Sequence, residues 1–589
     1  MRDEPRARSL SPYAHFRSRL RDTTVRVDLQ EWRVRYWLIA LLLALLAAQP
    51  GAQSAIKLVD VAAQAGLNLV NVSGEPAKDY IVDANGNGAA FFDYDNDGDL
   101  DALIVNGSTR RQFAAGGDPM VALYQNAGSG SFRDVTSSSG FTRRGWGAGA
   151  CVGDIDNDGF EDVFVTAFGP DVLWRNTGKG VFADTTERAR LGESRWGTSC
   201  AFADYDRDGD LDLYVANYVQ FNERTIPGRG TTANCRFMAT DVFCGPKQLT
   251  GEKDALYRNN GDGTFADVSA ASGANDPGYY GFGVVFADLN DDSWPDIFVA
   301  NDSVPNLLFR NRGDGTFVED GLLSGAALSG DGRPQAGMGV DAGDYNADGL
   351  PDLIVTNFSH DYNIVYENGP AGVFTDRSYA TGIAATAGPY LGWGVKFVDL
   401  DNDGRLDVFI ANGHVYPEVD KHGLGTRYRQ RNQVFLNEGR RFRHATAEIG
   451  GGLLIEQSSR GAAFGDYDND GDIDILVINM NERPTLLRND TAGAHHWVTL
   501  RLVGSKSNRS AIGARVRIEA SGRRQVAWVH GDGSYLSHSD MRPHFGLGAA
   551  SRIDRLEIRW PSGLVETATG LAADRFYVAR EGAGVSAGR

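Results

Sequence analysis

The chain reads as all-β: a seven-bladed β-propeller followed by a small C-terminal β domain. Three observations predict this. An acidic loop recurs seven times, the phrases flanking it recur with it, and each loop sits between short β-branched or aromatic runs bounded by Gly and Asn.

The first loop lies in "FFDYDNDGDLDALIVNG", residues 91–107. Packed carboxylates repel one another, so Asp93, Asp95, Asp97 and Asp101 are expected to share a cation. Calcium takes roughly six to eight oxygens, and acidic loops supply them from side chains at positions 1, 3 and 5, a backbone carbonyl at 7 and a closing acid, around a glycine at 6. Asp93, Asp95 and Asp97 fit positions 1, 3 and 5, Gly98 fits 6, and Asp101 closes at 9. The flanks read as strands, which excludes the two helices of an EF-hand.

The same pattern returns at Asp154, Asp156, Asp158 and Asp162, and at Asp204, Asp206, Asp208 and Asp212. It returns again at Asp344, Asn346, Asp348 and Asp352, at Asp399, Asp401, Asp403 and Asp407, and at Asp466, Asp468, Asp470 and Asp474. A degraded copy, Asp288, Asn290, Asp292 and Asp296, fills the gap and carries Ser293 where the others have glycine. Glycine stands five residues before the first aspartate in six copies, Ser199 being the exception. Asparagine stands five residues after the last aspartate in six copies, Ala167 being the exception. A solvated acidic turn has no reason to repeat its neighbours, so the seven loops are read as calcium sites, with about six or seven ions expected. Position 6 needs the left-handed backbone region, where a non-glycine residue costs on the order of 1 to 2 kcal/mol. The fourth loop is therefore expected to be the weakest site or none.

Each unit continues with an L-[YWF]-x-N phrase, as in "LYQN" and "LWRN", then a Gly-rich turn, then F-x-D-[VT]. With the strands flanking the loop this makes four strands per unit, repeating about every 50 to 85 residues, which is the period of propeller blades. The seventh unit, ending in "LLRN" at 486–489, lacks its own fourth strand, and the missing phrase stands at "IKLVDV", residues 56–61. The N-terminal strand is expected to complete blade seven and close the ring.

At this point the chain resembles FG-GAP repeats of the integrin α-subunit kind. The phrases "NRSAIGARVRI", "GDGSYLSHSDMRPHFGLG" and "IDRLEIRWPSG", within residues 508–563, are similar to the ASPIC/UnbV domain that follows such repeats in the cartilage acidic protein family. The resemblance implies a secreted calcium-binding protein and names no substrate. The expected division is 1–54 signal peptide with a long N-terminal extension, 55–490 propeller, 491–583 C-terminal β domain and 584–589 tail.

The formal charge of −19 argues against nucleic acid as a partner, and the acidity reads as a set of cation ligands. "WLIALLLALLAA", residues 37–48, is shorter than the roughly 20 residues of a membrane span, follows Arg33 and Arg35, and precedes the small residues "AQS". It reads as the apolar region of a signal peptide, leaving no membrane span after cleavage and placing the protein outside the cytoplasm: secreted, periplasmic or at the cell surface. Export permits disulfides. Cys235 and Cys244, nine positions apart in an insertion, are expected to pair. Cys151 and Cys200 precede their loops by three and four residues, so strand alternation points them to opposite sheet faces, and they are read as buried and unpaired.

No common hydrolase or phosphate-loop motif is present. Two histidine groups stand out, His414 with Tyr416 and His422, and His538 with His544. They are read as hydrogen-bonding loops and packing a domain interface rather than as a catalytic centre, and Trp146, Trp196 and Trp393 as blade core or rim. The leading reading is a non-enzymatic exported calcium-binding propeller that binds a protein or glycan partner. The alternative is an enzyme in which His414 holds copper, iron or zinc at one propeller mouth for chemistry on a peptide or other exported substrate. N-terminal sequencing of exported material is expected to begin near Ala55; an intact residue 37–48 segment in a membrane fraction would show an anchor instead.

Overall fold

The computed structural model describes residues 56–588 apart from 129 and 492–494, so the expected signal segment lies outside the described residues. Seven four-stranded antiparallel units follow one another along the chain. Blade one is typical: Ala89–Phe92, Asp101–Val105, Val121–Asn126 and Phe132–Asp134 pair in that order, with the acidic loop as the turn between the first two strands. Blades two and three are fused into one larger sheet, because Phe168–Pro170 pairs with Ser194–Trp196. The first strand of each blade packs beside the first strand of the next, and that of blade seven beside that of blade one, which closes the ring. Blade seven takes its fourth strand from the N-terminus: Leu58 pairs with Asn489, Val59 with Arg488 and Asp60 with Leu487.

The asparagine of each L-[YWF]-x-N phrase explains how neighbouring blades are joined. Asn126 Nδ2 in blade one donates to the Tyr467 carbonyl of blade seven at 2.7 Å, and Asn176 in blade two donates to the Tyr94 carbonyl of blade one at 2.8 Å. Asn259, Asn311, Asn368, Asn437 and Asn489 repeat the bond around the ring. Every acceptor is the carbonyl at position 2 of the preceding blade's acidic loop. The asparagines five residues after each loop do a different task. Asn301 Nδ2 bonds the Pro305 carbonyl and Asn479 Nδ2 the Arg483 carbonyl, holding the connection into the third strand.

The C-terminal domain is two four-stranded sheets around a shared core that includes Val498, Leu500, Val516, Ile518, Leu556, Ile558 and Trp560. Its strand Arg552–Arg559 alternates in burial, with Ile553, Leu556 and Ile558 inside and arginines outside. The domain covers the acidic-loop side of the ring. Arg515 donates to Asp291 of blade four and to the Gly349 carbonyl of blade five, Arg523 to the Asp403 carbonyl, and His544 Nε2 meets Asn402 Oδ1 at 2.7 Å.

One segment of this domain, Asp532–Asp540, enters the centre of the ring and touches the first strand of every blade. His538 N donates to the Ala89 carbonyl, Ala150 N to the Leu536 carbonyl and Leu536 N to Ser199 Oγ. Phe286 N donates to Asp532 Oδ2, Val340 N to the Ser534 carbonyl, Val395 N to Ser534 Oγ, and Ser534 Oγ to the Ala462 carbonyl. The repeated glycine five residues before each loop stands where backbone comes close: the central segment at Gly88 and Gly461, the first strand of the next blade at Gly283 and Gly394, and both at Gly149 and Gly339. A Cβ at Gly88 would overlap the Leu536 carbonyl, and one at Gly461 would stand 2.6 Å from Ser537 Oγ. Blade three, the exception, uses its Ser199 hydroxyl to accept from the segment.

The opposite mouth is filled by aromatic side chains. Trp146, Trp196 and Trp393 lie there with Tyr218, Phe282, Tyr416 and Tyr535, capped by Val242 and Phe243 of the insertion that Cys235–Cys244 staples. The tryptophans therefore belong to the channel mouth rather than to blade cores.

The structure corrects one expectation: Cys151 and Cys200 are disulfide-bonded, with Cα atoms 5.8 Å apart. Strand alternation does put the two cysteines on opposite sheet faces, but they belong to different blades. Cys151 is on the blade-two strand Gly147–Gly153 and Cys200 on the blade-three strand Ser194–Ala203, and opposite faces of adjacent blades are the faces that meet. Closing a 49-residue separation is worth about 4 kcal/mol in the chain-entropy model. The central segment makes a further prediction. Gly88→Ala should destabilise the protein by about 1 to 3 kcal/mol or more through overpacking, whereas Ser199→Ala should cost only about 1 kcal/mol for one hydrogen bond. Denaturant unfolding of the two variants checks the order.

Candidate metal centres

In each loop the turn is built before any ion is considered. Asp93 Oδ1 accepts from Asp97 N and Oδ2 from Gly98 N, both at 3.0 Å, and Asp97 Oδ1 accepts from Asp99 N at 2.9 Å. Gly98 has φ +92°, and the corresponding glycines of the other loops are also left-handed. Ser293 is held at φ +77°, the region that favours glycine.

The closing aspartate is the most enclosed. Asp101 Oδ1 accepts from Asn126 N at 2.8 Å and Oδ2 from Tyr94 N at 3.1 Å. Asp162, Asp212, Asp407 and Asp474 repeat both bonds in their own blades. Burial, with Asp95 and Asp93 adding to it, pushes the Asp101 carboxyl up to about 9, and burial pushes Asp162 up to about 8.

Five loops bring three carboxylates together with one oxygen of each within 4.8 Å of the others: Asp93, Asp95 and Asp101; Asp154, Asp156 and Asp162; Asp204, Asp206 and Asp212; Asp399, Asp401 and Asp407; Asp466, Asp468 and Asp474. These are positions 1, 3 and 9. The position 5 aspartates Asp97, Asp158, Asp208, Asp403 and Asp470 stand outside these groups. The two remaining loops carry Asn290 and Asn346 at position 3. In blade five, Asn346 Oδ1 accepts from Asp348 N, while Asp344 accepts from Asp348 N and Gly349 N as in the other loops.

The donor set fits a hard cation. Asp95, Asp204, Asp206 and Asp468 each keep an Oδ1 that is shielded from solvent and has no hydrogen-bond partner among the described residues, and Asp352 Oδ2 is in the same state. A buried carboxylate oxygen without a donor is costly unless a positive charge meets it.

Blade four differs in a way the sequence reading missed. Arg310, in the L-[YWF]-x-N phrase, donates from Nη1 to Asp296 Oδ2 at 2.7 Å and from Nη2 to the Gly372 carbonyl, and both side chains are buried. The signal lay in the phrase itself, but arginine also occupies that position in blades two, three and seven without reaching the closing aspartate: Arg175 pairs with Asp156 and Asp158, Arg258 is exposed, and Arg488 pairs with Asp490.

The histidines are held structurally. His414 is fully buried; its Nδ1 accepts from Tyr416 N at 3.1 Å and its Nε2 meets Ser359 Oγ at 3.0 Å. His544 joins Thr499 to Asn402, and His538 lies in the central segment. His422 closes a short helix, Val419–His422.

The FG-GAP-like repeat model matches residues 93–165, 154–215, 239–299, 288–355 and 344–410, and the ASPIC and UnbV model matches 504–586. Cartilage acidic protein 1 of Mus musculus is 28% identical over 350 residues, covering 58% of this chain and 51% of the relative. The Homo sapiens protein of the same name is 29% identical over 306 residues, covering 50% and 43%. The chain thus spans about half the length of the curated relatives it matches. A solved Agrocybe aegerita lectin described as recognising non-reducing terminal N-acetylglucosamine overlaps 64% of this chain and 90% of its own, at 18% identity and a TM-score of 0.37, too low to carry an argument.

Burial, followed by the nearby Arg460 charge, lowers His414 to about 3. A histidine whose folded value lies below its unfolded one, near 6.5, takes up protons on unfolding between those two values, so stability falls as pH drops from about 6.5 toward 3. Each such histidine contributes a slope of up to about 1.4 kcal/mol per pH unit. Between about pH 6.5 and 3 the parent is therefore expected to lose stability relative to His414→Gln as pH falls, and a difference between the two that does not change with pH would contradict it.

Proposed function

Because the chain belongs to the FG-GAP-like repeat family and ends in an ASPIC and UnbV domain, we propose that it is an exported scaffold whose propeller is stiffened by calcium and whose outer surface receives a protein or glycan partner. The observation that carries the calcium reading is the set of gathered, partly unpaired carboxylate oxygens at positions 1, 3 and 9. Asp93, Asp95 and Asp101, and their counterparts in the other loops, would hold the ion, and Asp97 and its counterparts would join them or keep the turn closed. Bound calcium supplies positive charge where like-charged groups have been buried together. The chain's own groups do the rest: position 9 fastens the loop to the third strand, and the third-strand asparagine fastens that blade to its neighbour.

Export is supported by two disulfides, which persist in oxidising compartments, and by the apolar run at 37–48. Among the described residues no helix is long and apolar enough to cross a membrane. The central channel is occupied by the chain itself, from Asp532–Asp540 on one side and the aromatic cluster on the other, which favours a partner site on the outside of the ring. The alternative of a transition-metal enzyme at His414 gains no support from a ring whose two nitrogens are both hydrogen-bonded.

Chelation should lower the melting temperature, and calcium should restore it where magnesium does not, because magnesium prefers a tighter octahedron and dehydrates reluctantly. An unchanged melting curve in excess chelator would contradict the calcium reading.

A further inference from the structure

We propose that blade four carries its own cation: the Arg310 guanidinium stands in for the metal, so the ring holds ions in its other loops and a built-in positive charge in this one. The inference rests on the calcium reading of those loops and concerns the one loop whose residues do not fit an ion.

Three observations converge on it. Asp296 is fully buried and is the only closing aspartate among the described residues paired with an arginine; Arg310 Nη1 reaches its Oδ2 at 2.7 Å while Nε lies 3.5 Å from Asp320. The arginine is itself enclosed, and Gly372 leaves the space for it, since a Cβ there would overlap the guanidinium. Asp296 therefore meets a full positive charge through a charge-assisted hydrogen bond, where the loops of blades one, three, five and seven present unsatisfied carboxylate oxygens.

The rest of the loop agrees. Asn290 turns its amide toward Asp292, donating from Nδ2 to Asp292 Oδ2 at 2.8 Å. Ser293, strained at position 6, offers its hydroxyl to Arg559 Nη1 at 2.9 Å and its carbonyl to Arg207, whose guanidinium also lies 4.0 Å from the Trp294 ring centroid. Arg515 of the C-terminal domain pairs with Asp291. Four arginines thus surround one acidic loop. A metal ion added beside them would meet repulsion, and its closing ligand is already taken. The serine alone does not account for this: it strains the turn at a position where the other loops have glycine, whereas Arg310 removes the need for the ion. The consequence is a blade that keeps its loop, and its grip on the C-terminal domain, whatever the calcium concentration.

The test is to count calcium by elemental analysis of the full purified chain equilibrated at one free calcium concentration, and to melt each variant with and without chelator. Asp352→Asn in blade five should lose one ion relative to the parent, and Asp296→Asn none. The double variant Arg310→Gln with Ser293→Gly should gain one ion, and its melting temperature should become more dependent on calcium than the parent's. Loss of an ion in Asp296→Asn, or no gain in the double variant, overturns the proposal while leaving the calcium scaffold standing. A parent chain that retains no calcium at all overturns both.

Discussion

The structure depends on a buried carboxylate at the end of each acidic loop. Asp101 is the pattern: one oxygen accepts from the loop's own backbone at Tyr94, the other from the third strand at Asn126, and the Asn126 side chain then holds the Tyr467 carbonyl of the neighbouring blade. Loop, sheet and blade interface are tied through one side chain. Such a group is expensive to bury charged, and the expense rises with two more carboxylates nearby. On our reading positive charge offsets this, from an ion in most blades and from Arg310 in one. Repeating the arrangement around a ring couples the blades, because each blade's asparagine latch uses a carbonyl positioned by the preceding blade's loop.

Closure adds a second constraint. The N-terminal strand Leu58–Asp60 pairs with Thr485–Asn489, and the segment Asp532–Asp540 must find seven inner strands at once. Both couplings join distant parts of the chain, so the ring is completed only after most of it has been made, a topology that costs loop entropy before contacts repay it. The Cys151–Cys200 bond across blades two and three, where the sheets also merge, offsets part of that entropy within the propeller.

Much of this was legible from local chemistry. The acidic loops, the strand order of each blade and the borrowed N-terminal strand follow from phrases that repeat, and a repeat reports the turn and strand it encodes. What did not repeat was harder to read. The central segment occurs once, and its trace in the propeller was part of the row of glycines, such as Gly88 and Gly461, whose absence of side chains signalled a close approach without naming what approached. Ser199 marked the same contact from the other side. The pairing of Cys151 with Cys200 needed the packing of two blades, not the alternation within one. Arg310 looked like Arg175 and Arg488 in sequence, and only the space beside Gly372 turned it inward. The aromatic mouth gathers side chains from several blades and an insertion, so no single stretch announced it.

The most direct test of the account is amide hydrogen exchange at the latch asparagines, compared with and without calcium. The amides of Asn126, Asn176, Asn259, Asn368, Asn437 and Asn489 donate to closing aspartates that on our reading face an ion, and that of Asn311 donates to Asp296, which has Arg310. The account predicts faster exchange at the first six when calcium is withdrawn and little change at Asn311. Equal acceleration at all seven, or none at any, would contradict it.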